Sequence, residues 1–157
     1  MNPAADPTPA PTDPQDLFSV DGRRVVVTGG TNGIGRMIAG GFVAAGADVV
    51  VTSRKADAVD GTVAELSSVG SCAGVTSDLS TEDGCRALAD WVAQRWDSLD
   101  VLVNNAGATL GGESDPDGFA RSVKLNLLAA QRLSNRCHPC LLYTSPSPRD
   151  PLRYLVC

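Results

Sequence analysis

The chain is poor in several residue types on which common functional classes depend. It has one histidine, two tryptophans and two tyrosines among 157 residues, and it has no block of basic residues at a net charge of −5. This charge balance argues against a nucleic-acid surface, so we expect no nucleic-acid partner. No apolar run is long enough to cross a bilayer, and the first residues lack the features of a signal peptide, so we expect no membrane partner.

The cysteine content argues against a disulfide framework. Five cysteines lie at positions 72, 85, 137, 140 and 157, and an odd, irregular set of this kind favours a reducing cytoplasmic location. Cys137 and Cys140 have C-x-x-C spacing and enclose the single histidine, His138. This spacing is compatible with a redox or metal role, but no second ligand pair follows, so we expect no metal site.

Short β-branched runs alternate with alanine-rich segments along most of the chain. We predict strands at 24–27, 48–52, 72–76 and 99–103, and helices at 34–45, 56–68, about 81–96 and 119 to about 136. Ser80 is the predicted N-cap of the third helix, since Glu82 and Asp83 follow it in the first turn. The alternation predicts one α/β domain with a parallel sheet and right-handed crossovers, and the near-continuous apolar strands indicate burial on both faces.

A glycine-rich turn, Thr28–Gly35, joins the first predicted strand to the first predicted helix. Glycines let the backbone turn sharply and approach a ligand closely, while a helix N-terminus offers free N–H groups and partial positive charge to an anion. The segment therefore predicts a site for a phosphate-bearing cofactor. It is not a P-loop, because Arg36 stands where a lysine is needed, and the G-x-G-x-x-G spacing is absent.

Four segments in order carry a resemblance to a known family. They are T-G-x-x-x-G-x-G with glycines at 29, 33 and 35, Asp78-Leu79 after the third strand, Asn104-Asn105-Ala106-Gly107 after the fourth, and Asn126 in the last helix. Together they resemble the short-chain dehydrogenase/reductase family over residues 17–139. The front of the chain is most similar to 3-oxoacyl-[acyl-carrier-protein] reductase-like members. The resemblance implies a three-layer, Rossmann-type doubly wound parallel sheet, truncated here after about four strands.

The resemblance also assigns roles to particular residues. It implies cofactor contacts from Gly29, Thr31, Asn32, Gly33, Ile34, Gly35, Ser53, Arg54, Asp78, Leu79, Asn105, Ala106 and Gly107. It gives the Asp78 carboxylate to the adenine amine, leaves room for a ribose beside Ala106 and Gly107, and makes Asn126 an active-site residue. It further implies a small carbonyl or alcohol substrate, acyl thioesters included, and a parent protein that is a homodimer or homotetramer.

The end of the second strand bears on the choice of cofactor. NAD enzymes usually place an acidic residue there to bind the ribose 2′-hydroxyl, whereas this chain has Ser53, Arg54 and Lys55. A hydroxyl and two cations suit a 2′-phosphate, so NADP(H) is favoured over NAD(H). Two observations leave the alternative open: the cations can serve only to solvate the loop, and Asn32 stands where many NADP-preferring relatives have a basic residue.

The central catalytic residues of the family are absent from the printed sequence. Those enzymes use a Tyr whose pKa is lowered by a Lys four positions later, with a Ser that orients the substrate carbonyl. The lysines here are Lys55 and Lys124 and the tyrosines are Tyr143 and Tyr154, while Ser147 stands four positions after Tyr143. We therefore predict that the chain as given is inactive and that its parent is an NADP(H)-dependent oxidoreductase. A non-catalytic, redox-sensing dinucleotide module is the alternative.

The C-terminal segment does not resemble a continuation of the family. Residues 140–150 match the translation of a transposase-type sequencing adapter, and residues 154–157 match one frame of the primer segment that follows it. We predict that 140–157 is non-native, which makes Cys137-x-x-Cys140 a junction rather than a motif. The chain would then be an inactive truncated product. Residues 1–16, rich in Pro, Ala and Asp, are predicted to form a disordered arm.

Overall fold

A computed structural model describes residues 18–111 and 115–142. The predicted arm at 1–16 and most of the predicted tail at 140–157 lie outside the described residues. The elements in chain order are β1 (Arg24–Thr28), α1 (Gly33–Ala44), β2 (Asp48–Ser53), α2 (Ala56–Leu66), β3 (Cys72–Thr76), α3 (Glu82–Arg95), β4 (Val101–Val103), α4 (Pro116–Val123), a π-helical turn (Lys124–Leu128) and α5 (Ala129–Leu142).

The strands form one parallel sheet in the order β3-β2-β1-β4. Successive side chains of a strand point to opposite faces. Val25 and Val27 accordingly pack with the helices α1 and α2 on one face. Val26 packs with α3 and α5 on the other face. Helices thus cover both sides of the sheet, and the predicted three-layer, doubly wound α/β fold is confirmed.

The last helical region differs from the single helix predicted at 119 to about 136. Helix α4 begins earlier, at Pro116, whose missing N–H costs nothing in a first turn. The helix then widens into the π turn and continues as α5 to Leu142. The predicted boundary between 139 and 140 therefore falls within α5.

The N-cap predicted for the third helix is wrong by one residue. The backbone N–H and the hydroxyl of Ser80 both donate to Asp78 Oδ1, at 3.0 and 2.8 Å. Thr81 provides the cap instead, because its Oγ1 accepts from the backbone N–H of Gly84 at 3.0 Å. Asp78 thus binds the Ser80 hydroxyl, which is then not available to cap the helix.

A carboxylate at the amino end of β2 ties the sheet to α3. Asp48 accepts hydrogen bonds from Ser71 Oγ at 2.6 Å, Trp96 Nε1 at 2.9 Å and Arg95 Nη2 at 3.2 Å. Partial burial acts to raise the pKa of Asp48, but the bonds from Ser71, Trp96 and Arg95 outweigh it and hold the pKa below its ordinary value. The ionised form is therefore the one that the fold stabilises.

We predict that the free energy of unfolding of Asp48→Asn falls less steeply with decreasing pH than that of the unmodified chain. A carboxyl with a lowered pKa in the folded state contributes stability that is present above its unfolded pKa, about 3.9, and is lost as the pH falls through the folded value. Urea unfolding between about pH 6 and about pH 2 measures the slope. Asp60→Asn, which changes an exposed carboxylate, is the control, and its free energy of unfolding should depend on pH as that of the unmodified chain does. The same pH dependence in Asp48→Asn would contradict the prediction.

Candidate functional site

A cavity of ≈ 120 Å³ opens at the carboxyl ends of the strands. Its lining residues are Gly29, Thr52, Ser53, Arg54, Ser77, Leu79, Ala106, Gly107, Ala108 and Leu125. Gly29 follows β1 and Ala106 follows β4, so the cavity lies where the strand order reverses. Open α/β sheets bind their ligands at such switch points. The structure thus brings six of the predicted cofactor residues together in one cavity, and their contact with a cofactor stays a prediction: Gly29, Ser53, Arg54, Leu79, Ala106 and Gly107.

The glycine turn has the backbone conformation that its sequence requires. Gly29 and Gly33 have φ of +65° and +51°, a region that side chains other than glycine rarely adopt. Asn32 is the N-cap of α1, and its Oδ1 accepts from the backbone N–H of Gly33 at 2.7 Å. Thr31 and Ile34 lie in the same turn. Gly29 of this turn lines the cavity, and α1 begins four residues later, at Gly33.

Gly35 lets α1 pack against the loops that end β1 and β4. A Cβ atom at this position would come closer than 3.0 Å to Asn105 Nδ2 and to the carbonyl oxygen of Gly29. Real Cβ atoms do not approach other atoms so closely, and one of the obstacles is backbone. The third glycine of the motif is thus fixed by packing.

Thr28 and Asn105 join the ends of β1 and β4. The buried Thr28 hydroxyl donates to the carbonyl oxygen of Val103 at 3.0 Å and accepts from the N–H groups of Asn105 and Ala106 at 2.9 and 3.0 Å. Asn105 Nδ2 donates to the carbonyl oxygen of Thr28 at 2.9 Å. Asn105 thus bridges neighbouring strand ends, while its contact with a cofactor stays a prediction. The role of Thr28 was missed, although a hydroxyl at the end of a buried strand was a usable signal.

We predict that Thr28→Val destabilises the chain by about 2 kcal/mol, because the half-buried N–H of Ala106 loses its acceptor and the N–H of Asn105 keeps only the carbonyl oxygen of Val103. Thr28→Ser is the control, since it retains the hydroxyl. Chemical denaturation of both variants measures the difference in free energy of unfolding. Equal stability of the valine and serine variants would show that the bridge has no energetic role.

Asn126 holds the loop that follows β4. It lies in the π-helical turn, a feature often found at functional sites. Its Oδ1 accepts from the N–H of Ala108 at 2.9 Å, and its Nδ2 donates to the carbonyl oxygen of Ala108 at 3.1 Å. A Cβ on Gly107 would lie 2.9 Å from Asn126 Oδ1. The predicted active-site Asn is therefore a fixed, exposed amide beside the cavity.

Two polar groups at the end of β2 face the cavity. Ser53 is half-buried and Arg54 is exposed, and both line it. Within the part of the chain that the structure describes, Arg54 has no acidic partner, whereas Arg36 pairs with Glu65. The Arg54 guanidinium is thus available to an anion. Lys55 is exposed at the N-cap position of α2 and does not line the cavity.

Some of the predicted cofactor residues lie outside the cavity wall. Asp78 is exposed, and its Oδ1 accepts the two bonds from Ser80. Thr31, Asn32, Gly33 and Ile34 belong to the turn rather than to the lining. Thr52, Ser77, Ala108 and Leu125 line the cavity and were not predicted. A contact of Asp78 or of the four turn residues with a cofactor stays a prediction.

The cysteine pair has no features of a reactive site. Cys137 is buried, and burial raises the pKa of its thiol to about 11, which leaves little thiolate to act as a nucleophile or ligand. Within residues 18–111 and 115–142 no cluster of three or more His, Cys, Asp or Glu is placed to hold a metal ion. In the same described ranges, no helix is long and apolar enough to span a membrane.

Comparison with known proteins decides the family. The model of the short chain dehydrogenase family matches residues 23–147. The chain belongs to this family. A similar curated protein is the rhamnolipids biosynthesis 3-oxoacyl-[acyl-carrier-protein] reductase of Pseudomonas aeruginosa. The two sequences are 40% identical over an alignment that covers 88% of this chain and 55% of the length of that protein. Another is the 7alpha-hydroxysteroid dehydrogenase of Escherichia coli K12, 36% identical over 79% of this chain and 50% of its own.

Solved structures of family members agree with the fold. The Pseudomonas aeruginosa RhlG/NADP active-site complex has a TM-score of 0.76 at 41% identity and covers 85% of this chain and 53% of its own. The 7 alpha-hydroxysteroid dehydrogenase complexed with NADH and 7-oxo glycochenodeoxycholic acid has a TM-score of 0.76 at 32% identity, with 83% and 52% covered. The predicted family is thereby confirmed. The chain spans about half the length of the relatives it matches.

Proposed function

We propose that this chain forms the cofactor-binding half of an NADP(H)-dependent oxidoreductase that interconverts a carbonyl and a secondary alcohol. The observation that carries the proposal is the cavity in which Gly29, Ser53 and Arg54 meet Ala106 and Gly107. Gly29 of the glycine turn and the Arg54 guanidinium line this cavity, and together with the start of α1 they match the phosphates and ribose of a dinucleotide. The family relatives include complexes of both NADP and NADH.

The preference for NADP(H) rests on the end of β2. An acidic residue at this position would repel a 2′-phosphate, and here Ser53 and Arg54 offer a hydroxyl and paired N–H donors. Arg54 lines the cavity and has no acidic partner within the described residues. The dinucleotide would be held by the turn at Gly29–Gly35, by Ser53 and Arg54, and by the loop at Ala106 and Gly107.

The chain's own contribution to the reaction is positional. When bound, NADP(H) supplies the hydride that passes to a carbonyl carbon, or accepts it from an alcohol. Asn126 fixes the loop at Ala108 beside the cavity, and we place it in a water relay that moves protons. The Tyr that exchanges the substrate proton, its Lys and the orienting Ser would lie in the part of the parent that this chain lacks. The substrate would be a small carbonyl compound, acyl thioesters included, and the parent a homodimer or homotetramer.

The test of this proposal is the coding sequence downstream of Pro139. If residues 140–157 are adapter-derived, sequencing the gene across the codons for Pro139 and Cys140 will give a different continuation. We expect that continuation to encode a Ser followed by Tyr-x-x-x-Lys. The protein made from it should reduce simple carbonyl compounds with NADPH and oxidise the corresponding secondary alcohols with NADP⁺. A continuation without Tyr-x-x-x-Lys would instead support a redox-sensing module.

A further inference from the structure

Three polar side chains of the last helical region hold the segment that follows β4, residues 104–110, which we call the post-β4 segment. The hydrogen-bonded pairs, each with the helical residue first, are Ser134 with Asn104, Asn126 with Ala108, and Ser122 with Leu110. The segment and the helical region therefore run in opposite directions. Ser122 makes the contact that lies farthest along the segment from β4.

The Ser122 hydroxyl connects the end of this segment to α4. Its Oγ accepts from the backbone N–H of Leu110 at 2.8 Å and donates to the carbonyl oxygen of Gly118, one helical turn earlier, at 2.9 Å. The carbonyl oxygen of Leu110 is farther from Oγ, at 3.4 Å. A hydroxyl has one proton, so the nearer carbonyl of Gly118 receives it and a lone pair stays available to the N–H of Leu110.

Two glycines allow the end of the segment to lie so close to α4. A Cβ atom on Gly118 would come closer than 3.0 Å to the carbonyl oxygen of Leu110 and to Cα of Gly111. Gly111 has a φ of +89°, a conformation that glycine adopts much more readily than other residues. The glycines thus make the close approach possible, and Ser122 supplies the hydrogen bond that fixes it.

We propose that Ser122 is a positioning residue for the dinucleotide in the cavity. The inference rests on the proposed function and deepens it. Ala106, Gly107 and Ala108 of the post-β4 segment line the cavity, whereas Ser122 does not, so Ser122 acts through the segment. A wall that is ordered before the ligand arrives spares the binding step the entropic cost of ordering it.

Burial makes Ser122 the firmer of the two attachments near the cavity. Asn126 is exposed, and so are its bonds to Ala108. Ser122 and Leu110 are half-buried, and Leu110 packs against the core on the side of α3 and α5. Water competes less for a hydrogen bond in such surroundings. Loss of the Ser122 hydroxyl should therefore loosen the segment even though Asn126 is retained.

The test compares Ser122→Ala with Ser122→Thr in the full chain. Without ligand, amide hydrogen exchange at Ala108, followed by NMR, should be about three- to tenfold faster in the alanine variant, and fluorescence titration should show NADPH binding weakened by a similar factor. Ala108 keeps its bond to Asn126 in both variants, so its exchange reports on the segment. Alanine is a better helix former than serine, so α4 should persist. The threonine variant keeps the hydroxyl and should match the unmodified chain in both measurements.

Ser68→Ala is the matched control. The Ser68 hydroxyl donates to the carbonyl oxygen of Glu65 at 2.7 Å, just after the end of α2. Its removal should change neither exchange at Ala108 nor the affinity for NADPH. Unchanged affinity in Ser122→Ala would overturn the inference and leave the proposed function intact. Equal losses in Ser122→Ala and Ser122→Thr would also overturn it, since the hydroxyl would then not be the cause. An unmodified chain that does not bind NADPH would overturn both.

Discussion

Gly35→Ala is expected to destabilise the chain by about 3 kcal/mol, at the upper end for overpacked sites, and to abolish dinucleotide binding. The added Cβ would overlap Asn105 Nδ2 and the carbonyl oxygen of Gly29. Relief requires that α1 move away from the sheet or that Asn105 give up its bond to Thr28. Either movement displaces the helix N-terminus from the position that we propose for the phosphates, so stability and affinity should fall together.

Gly41→Ala is the matched control, because it makes the same change in the same helix. A Cβ at Gly41 would meet no atom within 4 Å, and alanine is the better helix former. We expect this variant to gain about 0.5–1 kcal/mol and to keep its affinity. Urea denaturation and calorimetry on both variants measure the two quantities. If Gly35→Ala were as stable and as competent to bind as Gly41→Ala, the packing role of the third glycine would be refuted.

Arg54→Ala is expected to weaken NADPH binding about 10- to 100-fold while NADH binding changes little. A charge-assisted hydrogen bond contributes about 1.5–3 kcal/mol, which corresponds to that range. The loss should be confined to NADPH because the 2′-phosphate is the group that distinguishes the two cofactors. Fluorescence titration of each reduced cofactor gives the two dissociation constants.

Lys55→Ala removes the adjacent cation and is the matched control. Lys55 does not line the cavity, so its variant should lose little affinity for either cofactor. An equal loss of affinity for NADPH and NADH in Arg54→Ala would mean that the guanidinium does not bind the 2′-phosphate. A large loss in Lys55→Ala alone would move the phosphate contact to that residue.

The sequence predicts the fold well where a local pattern decides the structure. Val25–Val27 and Val49–Val51 are β-branched runs, and both form central strands of the sheet. The glycine turn was predictable because Gly29 and Gly33 have positive φ, a conformation that glycine adopts much more readily than other residues. The position of the cavity is set by the strand order, since the strand ends meet where that order reverses.

Side-chain competition is what the sequence did not reveal. Ser80 and Thr81 are both acceptable N-caps, and Asp78 decides between them by binding Ser80. The two-bond pairing of Asn126 with Ala108 depends on a loop conformation and on a π turn, which no local propensity indicates.

Titration of the full chain with NADPH and with NADH tests the central claim most directly, namely that the cavity at the ends of β1, β2 and β4 is an NADP(H) site. We predict saturable binding of both reduced cofactors at one site per chain, with NADPH the tighter ligand. Tighter binding of NADH would contradict the assignment of Ser53 and Arg54 to a 2′-phosphate. Absence of saturable binding to either cofactor would contradict the dinucleotide site itself.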